Sequence, residues 1–259
     1  MVNKWQDVID LLRRYGKFSP SEIKNLIVCI LGMAFIISFR DWGNGPSFDF
    51  AIGIINFIIA TVIVTLSVLW HELGHRLAGV GTGFKVEFKL YSFGLITGII
   101  LAIVSRGYVW FLITNAILIF IIPTHRLGWI RYGPNIFGFG QISAWGPLFS
   151  IFFAIILKLV WTIIPSAILL KAVHFNILYA IWNILPIPPA DGSRTYFGSR
   201  MVYVFEFSTI VVAGILLYVN LNPLLTIIVS LLVAAIIWVL YYVTLENRLW
   251  PRGALGGPG

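Results

Sequence analysis

Apolar residues along this chain fall into long uninterrupted runs, so the first question is which runs can cross a bilayer. Pro20 to Phe39, Phe50 to about Ala78, Ile142 to Ile164, Ser166 to Leu185, Val202 to Leu221 and Pro223 to Thr244 each reach or approach the twenty residues that a spanning helix needs. Before them, Trp5, Val8, Ile9, Leu12 and Tyr15 recur at helical spacing with Asp7, Arg13 and Arg14 elsewhere around the wheel. That pattern predicts an amphipathic helix lying at the interface and stopping near Gly16. Ser19-Pro20-Ser21-Glu22 then offers an N-cap serine, a proline at the first helical position and a capping-box glutamate, which starts the first span near Pro20.

Between Phe84 and Gln141 the pattern changes. Phe84, Val86, Phe88 and Leu90 alternate with Lys85, Glu87, Lys89 and Tyr91, the period-two signature of a strand with one apolar face. Two shorter apolar pieces follow, Leu95 to Val104 and Tyr108 to Ile122, separated by Ser105-Arg106-Gly107. One continuous helix here would put Arg106 near the bilayer centre, whereas a re-entrant hairpin avoids that cost and keeps the number of crossings even. The expected fold is therefore an all-α polytopic membrane protein of about six transmembrane helices, with a short β element and a re-entrant hairpin.

Composition agrees. Hydrophobic residues make up 59% and charged residues 11%, which a soluble core cannot use. The net charge of +8 is spread over the flanks of the apolar runs and not gathered into an aromatic-lined groove, so it sets topology and no nucleic-acid partner is expected. Four basic residues precede the first span, Lys24 lies near its start, and Arg40 stands nearest after it. The positive-inside rule then places the N-terminus in the cytosol of a cell membrane. Cys29 is the only cysteine, which rules out an intrachain disulfide.

The second span ends in His71-Glu72-Leu73-Gly74-His75. Histidines four apart share a helix face and can hold one zinc ion, while the intervening glutamate can accept a proton from water. With four His and five Glu in the chain, chance would produce this pattern in roughly one such sequence in a thousand. The stretch Asn183-Ile184-Leu185-Pro186-Ile187-Pro188-Pro189-Ala190-Asp191-Gly192 closes the fourth span, and its prolines predict that Asp191 sits on a bent, non-helical segment. Asp191 is the natural third ligand, leaving a fourth position open as a catalytic site requires. The hairpin brings both clusters to the same, cytosolic, side. The strand after the metal helix admits two readings: an exposed edge that pairs with an extended substrate, or a structural cap on the helix end.

These residues resemble the site-2 protease family of intramembrane zinc metalloproteases. His71-Glu72-x-x-His75, Gly146-Pro147 and Asn183-x-x-Pro186-x-x-Pro189-x-Asp191-Gly192 are similar, in order, to the three signatures of that family's three-helix core. Ala190 stands where a larger apolar residue is usual, and the interval before Gly146 is unusually apolar. The resemblance implies one zinc per chain held by His71, His75 and Asp191, with Glu72 as general base and Asn183 as a group for the substrate or the oxyanion. It also implies a transmembrane protein substrate, with membrane lipid as the surroundings; a silent scaffold that binds partner helices is the alternative. The expected organisation is a cytosolic amphipathic segment (1–24), an accessory helix (20–45), the protease core (46–195), two accessory helices (196–247) and a disordered tail (248–259), with no room for PDZ or CBS domains.

Five polar positions are set aside. His174 precedes Asn183 by nine residues and so faces away from the metal. His125 reads as a loop residue, Lys158 and Lys171 as snorkelling side chains near helix ends, and Glu206 as a partner for Arg200.

Overall fold

The computed structural model describes residues 4–43, 48–122 and 136–246; His125 and the tail from Trp250 lie outside them. The chain is an all-α polytopic membrane protein, and six of the described helices are long and apolar enough to cross a membrane. In order they are α1 (Lys4–Tyr15), α2 (Pro20–Ser38), α3 (Phe50–Thr82), β1 (Phe84–Leu90), α4 (Ser92–Val104), β2 (Asn115–Ile121), α5 (Ile136–Ile163), α6 (Ala167–Ile184), α7 (Asp191–Gly198), α8 (Arg200–Tyr218) and α9 (Pro223–Tyr241). The spanning helices are α2, α3, α5, α6, α8 and α9.

Local chemistry sets the boundaries. Ser19 caps α2 with the full capping box, Asp49 accepts from Ala51 and Ile52 at the start of α3, and α3 ends on Gly83 in the left-handed conformation. Helix α3 packs against α2, α5 and α6, while α8 and α9 pair with each other and meet the rest through α5, α6 and α7. One apolar cluster, including Met33, Val64, Phe88 and Tyr179, ties α2, α3, β1 and α6 together.

The hairpin exists, but its second limb is not helical. Helix α4 climbs beside the later half of α2: a Cβ on Gly32 would meet Leu95, one on Gly98 would meet Ile36, and one on Gly107 would meet Arg40. At the tip Arg106 is exposed and left-handed, followed by left-handed Gly107. Residues 108–114 return in extended form and end in β2, which pairs antiparallel with β1 from Phe84↔Ile121 to Leu90↔Asn115. Within β2 an extended chain is tolerated in an apolar fold because β1 takes up half of the strand's main-chain groups.

The pairing also relocates the free strand edge. The bond from Tyr91 N to the Thr114 carbonyl and the antiparallel alternation turn the main-chain groups of Phe88 and Ile117 outward. On β1 that outward edge is closed, since Phe88 N–H donates to Glu22 Oε1 at 2.8 Å. On β2 it faces α7, where Arg194 Nη2 donates to the Ile117 carbonyl at 3.0 Å. The edge beside Asp191 is therefore that of β2, which the alternation of Phe84–Leu90 could not reveal.

Lys171, near the start of its helix, reaches Asp41 in a partly exposed ion pair at 2.5 Å. Two other expectations need correction. Lys158 does not snorkel: it is 1% exposed, donates to Asn220 Oδ1 and lies 3.9 Å from the Trp161 ring. Arg200 pairs with Glu246, not Glu206, and Glu206 is buried with neither carboxylate oxygen hydrogen-bonded.

Candidate metal centre

Each group of this site is delivered by a different device. Helical periodicity puts His71 and His75 on one face of α3, their rings edge to face at 4.8 Å. Leu185 to Ala190, rich in proline, breaks away from α6 and leads into α7. Asp191 is thus the first residue of a short helix and not part of the irregular segment as expected. The proline run ends one residue earlier than that expectation assumed.

The three side chains converge. His71 Nε2 and His75 Nε2 are 3.1 Å apart, and Asp191 Oδ2 lies 3.2 Å from the first and 3.3 Å from the second. All three residues are buried. Ligand atoms at the corners of a tetrahedron about 2.0–2.1 Å from a central zinc ion would be about 3.3 Å apart, so the spacing and the donor set fit zinc. Asp191 Oδ1 is buried without a hydrogen-bond partner. Burial by itself would raise the Asp191 carboxyl, but the facing His75 and His71 hold it below the usual carboxylate range.

Helix α5 fixes the rings from behind. His75 Nδ1 lies 2.9 Å from the Ile142 carbonyl. A carbonyl can only accept, so Nδ1 carries the proton and Nε2 presents its lone pair to the centre. Pro147 cannot donate to the Ser143 carbonyl, which loosens the helix ladder beside Ile142. His71 Nδ1 is 2.9 Å from Ser150 Oγ, and Ser150 follows Gly146 by one turn. A Cβ on Gly146 would strike His75 Nε2 and come within 2.7 Å of His71 Nε2. Gly146 is therefore glycine because the imidazoles occupy the volume of its missing side chain.

Around this group lie polar atoms that nothing satisfies. Glu72 is fully buried and neither oxygen has a partner. Asn183 donates from Nδ2 to the Tyr179 carbonyl at 2.9 Å, while its Oδ1 is unpaired. The Tyr179 ring lies 4.7 Å from that of His71. The sequence reading missed Ser150 and Tyr179, although each stands one turn from a recognised position, four after Gly146 and four before Asn183. His174 is elsewhere: it lies against Tyr218 at 5.5 Å and lines a cavity of about 420 Å³ with Arg40, Tyr108 and Trp110.

One long-range anchor also went unseen. Arg76, the residue after His75, donates to Glu22 Oε1 at 2.5 Å and to the Gly16 carbonyl at 3.2 Å. Its guanidinium lies 4.0 Å from the Phe18 ring. Glu22 also accepts from Ser19 N and Phe88 N, so one carboxylate joins α2, α3 and β1 directly beside the metal ligands.

Comparison with known proteins adds a relative. No family model and no solved structure matches the chain. A Methanocaldococcus jannaschii protein named "Putative zinc metalloprotease" is 31% identical over 183 residues, which cover 69% of this chain and 84% of that protein. The identity extends over most of both chains, and the His71, His75 and Asp191 cluster supplies the donors that such a name requires. The chain belongs to the zinc metalloprotease family of this archaeal relative.

Proposed function

We propose that the protein is an intramembrane zinc endopeptidase of the site-2 type, which hydrolyses a peptide bond in or near a transmembrane helix of another membrane protein. One observation carries the reading: three zinc-type donors meet beside an unpaired carboxylate, Glu72, on a helix apolar enough to span a bilayer. An uncompensated carboxylate in such a place is costly and by default marks function. The proposed orientation has the N-terminus and the site towards the cytosol of the cell membrane, as the distribution of basic residues suggests.

The division of labour follows from the residues. His71, His75 and Asp191 would hold the ion. Zinc, when bound, supplies Lewis acidity that polarises a carbonyl and acidifies water. Glu72 removes a proton from the attacking water and returns it to the departing amide nitrogen. Asn183 hydrogen-bonds the substrate or the oxygen on which charge develops. A substrate helix hides its peptide bonds in its own hydrogen bonding, so the bond to be cut must be presented in extended form. Strand addition at the outward edge of β2 would present such a segment once the Ile117 carbonyl, held by Arg194, is released.

The test is cleavage of a transmembrane-helix reporter in liposomes by wild type and by Glu72→Gln, with bound zinc measured in both. The reading expects one zinc per chain in each protein, cleavage by wild type, and a loss of at least about a thousandfold in Glu72→Gln. Equal cleavage by the two proteins would refute Glu72 as base. Zinc-loaded wild type that cut no reporter would move the protein to a silent scaffold for partner helices.

A further inference from the structure

Asn115, the first residue of β2, carries a polar atom with no structural employment. The residue is 1% exposed. Its Oδ1 accepts from the Tyr179 hydroxyl at 3.1 Å, whereas its Nδ2 donor has no partner. The surrounding chain is firmly held: Tyr91 N donates to the Thr114 carbonyl at 2.9 Å, and Thr114 Oγ1 meets Cys29 Sγ at 3.3 Å and Met33 Sδ at 3.2 Å. Loose placement therefore does not explain the unpaired donor, and a buried donor of this kind is costly to leave unmade.

Its position points to a ligand. Tyr179 touches three components of the site: its ring lies against His71, its carbonyl takes Asn183 Nδ2, and its hydroxyl orients Asn115. Glu72 is within electrostatic reach of Tyr179 and of Cys29, whose Sγ meets Thr114, the neighbour of Asn115. Two unpaired atoms thus flank one tyrosine, the donor Asn115 Nδ2 and the acceptor Asn183 Oδ1. Such a donor and such an acceptor, one at each end of Tyr179, match in kind the C=O and N–H of a main chain. Asn115 also begins the strand whose outward edge faces α7.

We infer that Asn115 is a substrate-contacting residue, its Nδ2 taking a main-chain carbonyl of the extended substrate next to the bond that is cut, with Tyr179 as the positioning residue that fixes the carboxamide. This rests on the peptidase reading above and names a residue for setting the cleavage register. The apolar near-isostere Asn115→Leu removes the donor, and Tyr179→Phe frees the amide to turn. The double variant removes both partners without stranding either, so it keeps a folded protein even if the single change at Asn115 does not.

The experiment measures kcat/KM, zinc content, melting temperature and the cleaved bonds by mass spectrometry, in full-length protein in liposomes. Asn115→Leu and the double variant are expected to lose about tenfold in kcat/KM, the worth of one good hydrogen bond. They should keep zinc and melting temperature in at least the double variant and cut at neighbouring bonds as well. Tyr179→Phe should show a smaller loss. Rates within twofold of wild type at one unchanged bond, or a loss matched in every variant by loss of zinc or of melting temperature, would overturn the inference. If wild type cuts and Glu72→Gln does not, that failure belongs to Asn115 alone; if zinc-loaded wild type cuts nothing, the peptidase reading falls first and takes this one with it.

Discussion

Gly146→Ala puts one methyl group into the volume shared by the two imidazoles. The added Cβ would stand 2.7 Å from His71 Nε2 and closer still to His75 Nε2, where ordinary contact begins near 3.4 Å. His71 Nε2 must then retreat by about 0.7 Å and His75 Nε2 by more, against a tolerance of about 0.2 Å in metal–ligand distance. Neither ring can swing away freely, because Ile142 and Ser150 hold their Nδ1 atoms from α5 itself. Nor can α5 relax inward at the adjoining contact, since Gly74 of α3 already lies close to the Trp145 carbonyl. Losing an oriented ligand should weaken zinc binding by at least about a hundredfold, or about 3 kcal/mol.

The assay is competition for zinc against a chromophoric chelator in detergent, with metal content and melting temperature measured on the same samples. Gly81→Ala is the control: it lies in the same helix as the histidines, but its added Cβ meets nothing within 4 Å, so it should bind zinc as wild type does. Helix propensity would even raise its stability by about 0.5–1 kcal/mol. A Gly146→Ala protein that bound one zinc at wild-type affinity would refute both the packing argument and the assignment of these three residues as ligands.

Other perturbations test separate parts of the structure. Glu22→Ala strands buried Arg76 and the Phe88 N–H and should cost about 3–5 kcal/mol, read as unfolding in mixed micelles; a cost under about 1 kcal/mol would show that the carboxylate does not hold α2, α3 and β1 together. Lys171→Met breaks a pair whose members are 20% and 40% exposed, so by the same measurement solvent screening limits the loss to about 1 kcal/mol or less. Protons compete with zinc for His71 and His75, so affinity should fall as pH drops, by up to about tenfold per histidine per unit below about pH 6. Chelator competition at pH 7 and pH 5 checks this, and equal affinities would argue against histidine ligation.

What could be read in advance was what repeats or what is local. Length and hydropathy mark the six spans, Ser19 to Glu22 reads as a capping box, and the spacing of His71 and His75 presents two ligands on one face. Asp191 could be matched to them through crossing parity, although its place at a helix start depended on where the proline run releases the chain. Contacts between distant positions leave no such trace. Glu22 looks complete as a capping residue, and nothing in the local pattern says that its second oxygen takes Arg76, 54 residues on. Tyr108 to Ile122 reads as a second apolar limb because hydropathy does not distinguish an extended segment shielded by protein from a helix shielded by lipid. Glu206 suggested a partner within two turns, but Arg200 reaches Glu246 across the α8–α9 pair.

The distribution of satisfied and unsatisfied atoms gives the centre a direction. Behind the histidines every ring nitrogen not aimed at the cluster is engaged, by Ile142 or Ser150 of α5. Beside the helix Arg76 is tied to Gly16 and Glu22. Among the described residues, buried unpaired side-chain atoms lie on Glu72, Asn183 and Asn115 and on the second oxygen of Asp191, and also on Trp42, Trp70, Arg76 Nε, Ser143, Asn176 and Glu206. A fold under selection for stability alone would be expected to pair or remove them, since buried polar groups are generally satisfied. Those of Glu72, Asn183 and Asn115 are presented by different elements, α3, α6 and β2, and that of Asp191 by α7. Under the peptidase reading proposed above, a ligand that brings both donors and acceptors, as an extended peptide and water do, would pair the atoms of Glu72, Asn183, Asn115 and Asp191.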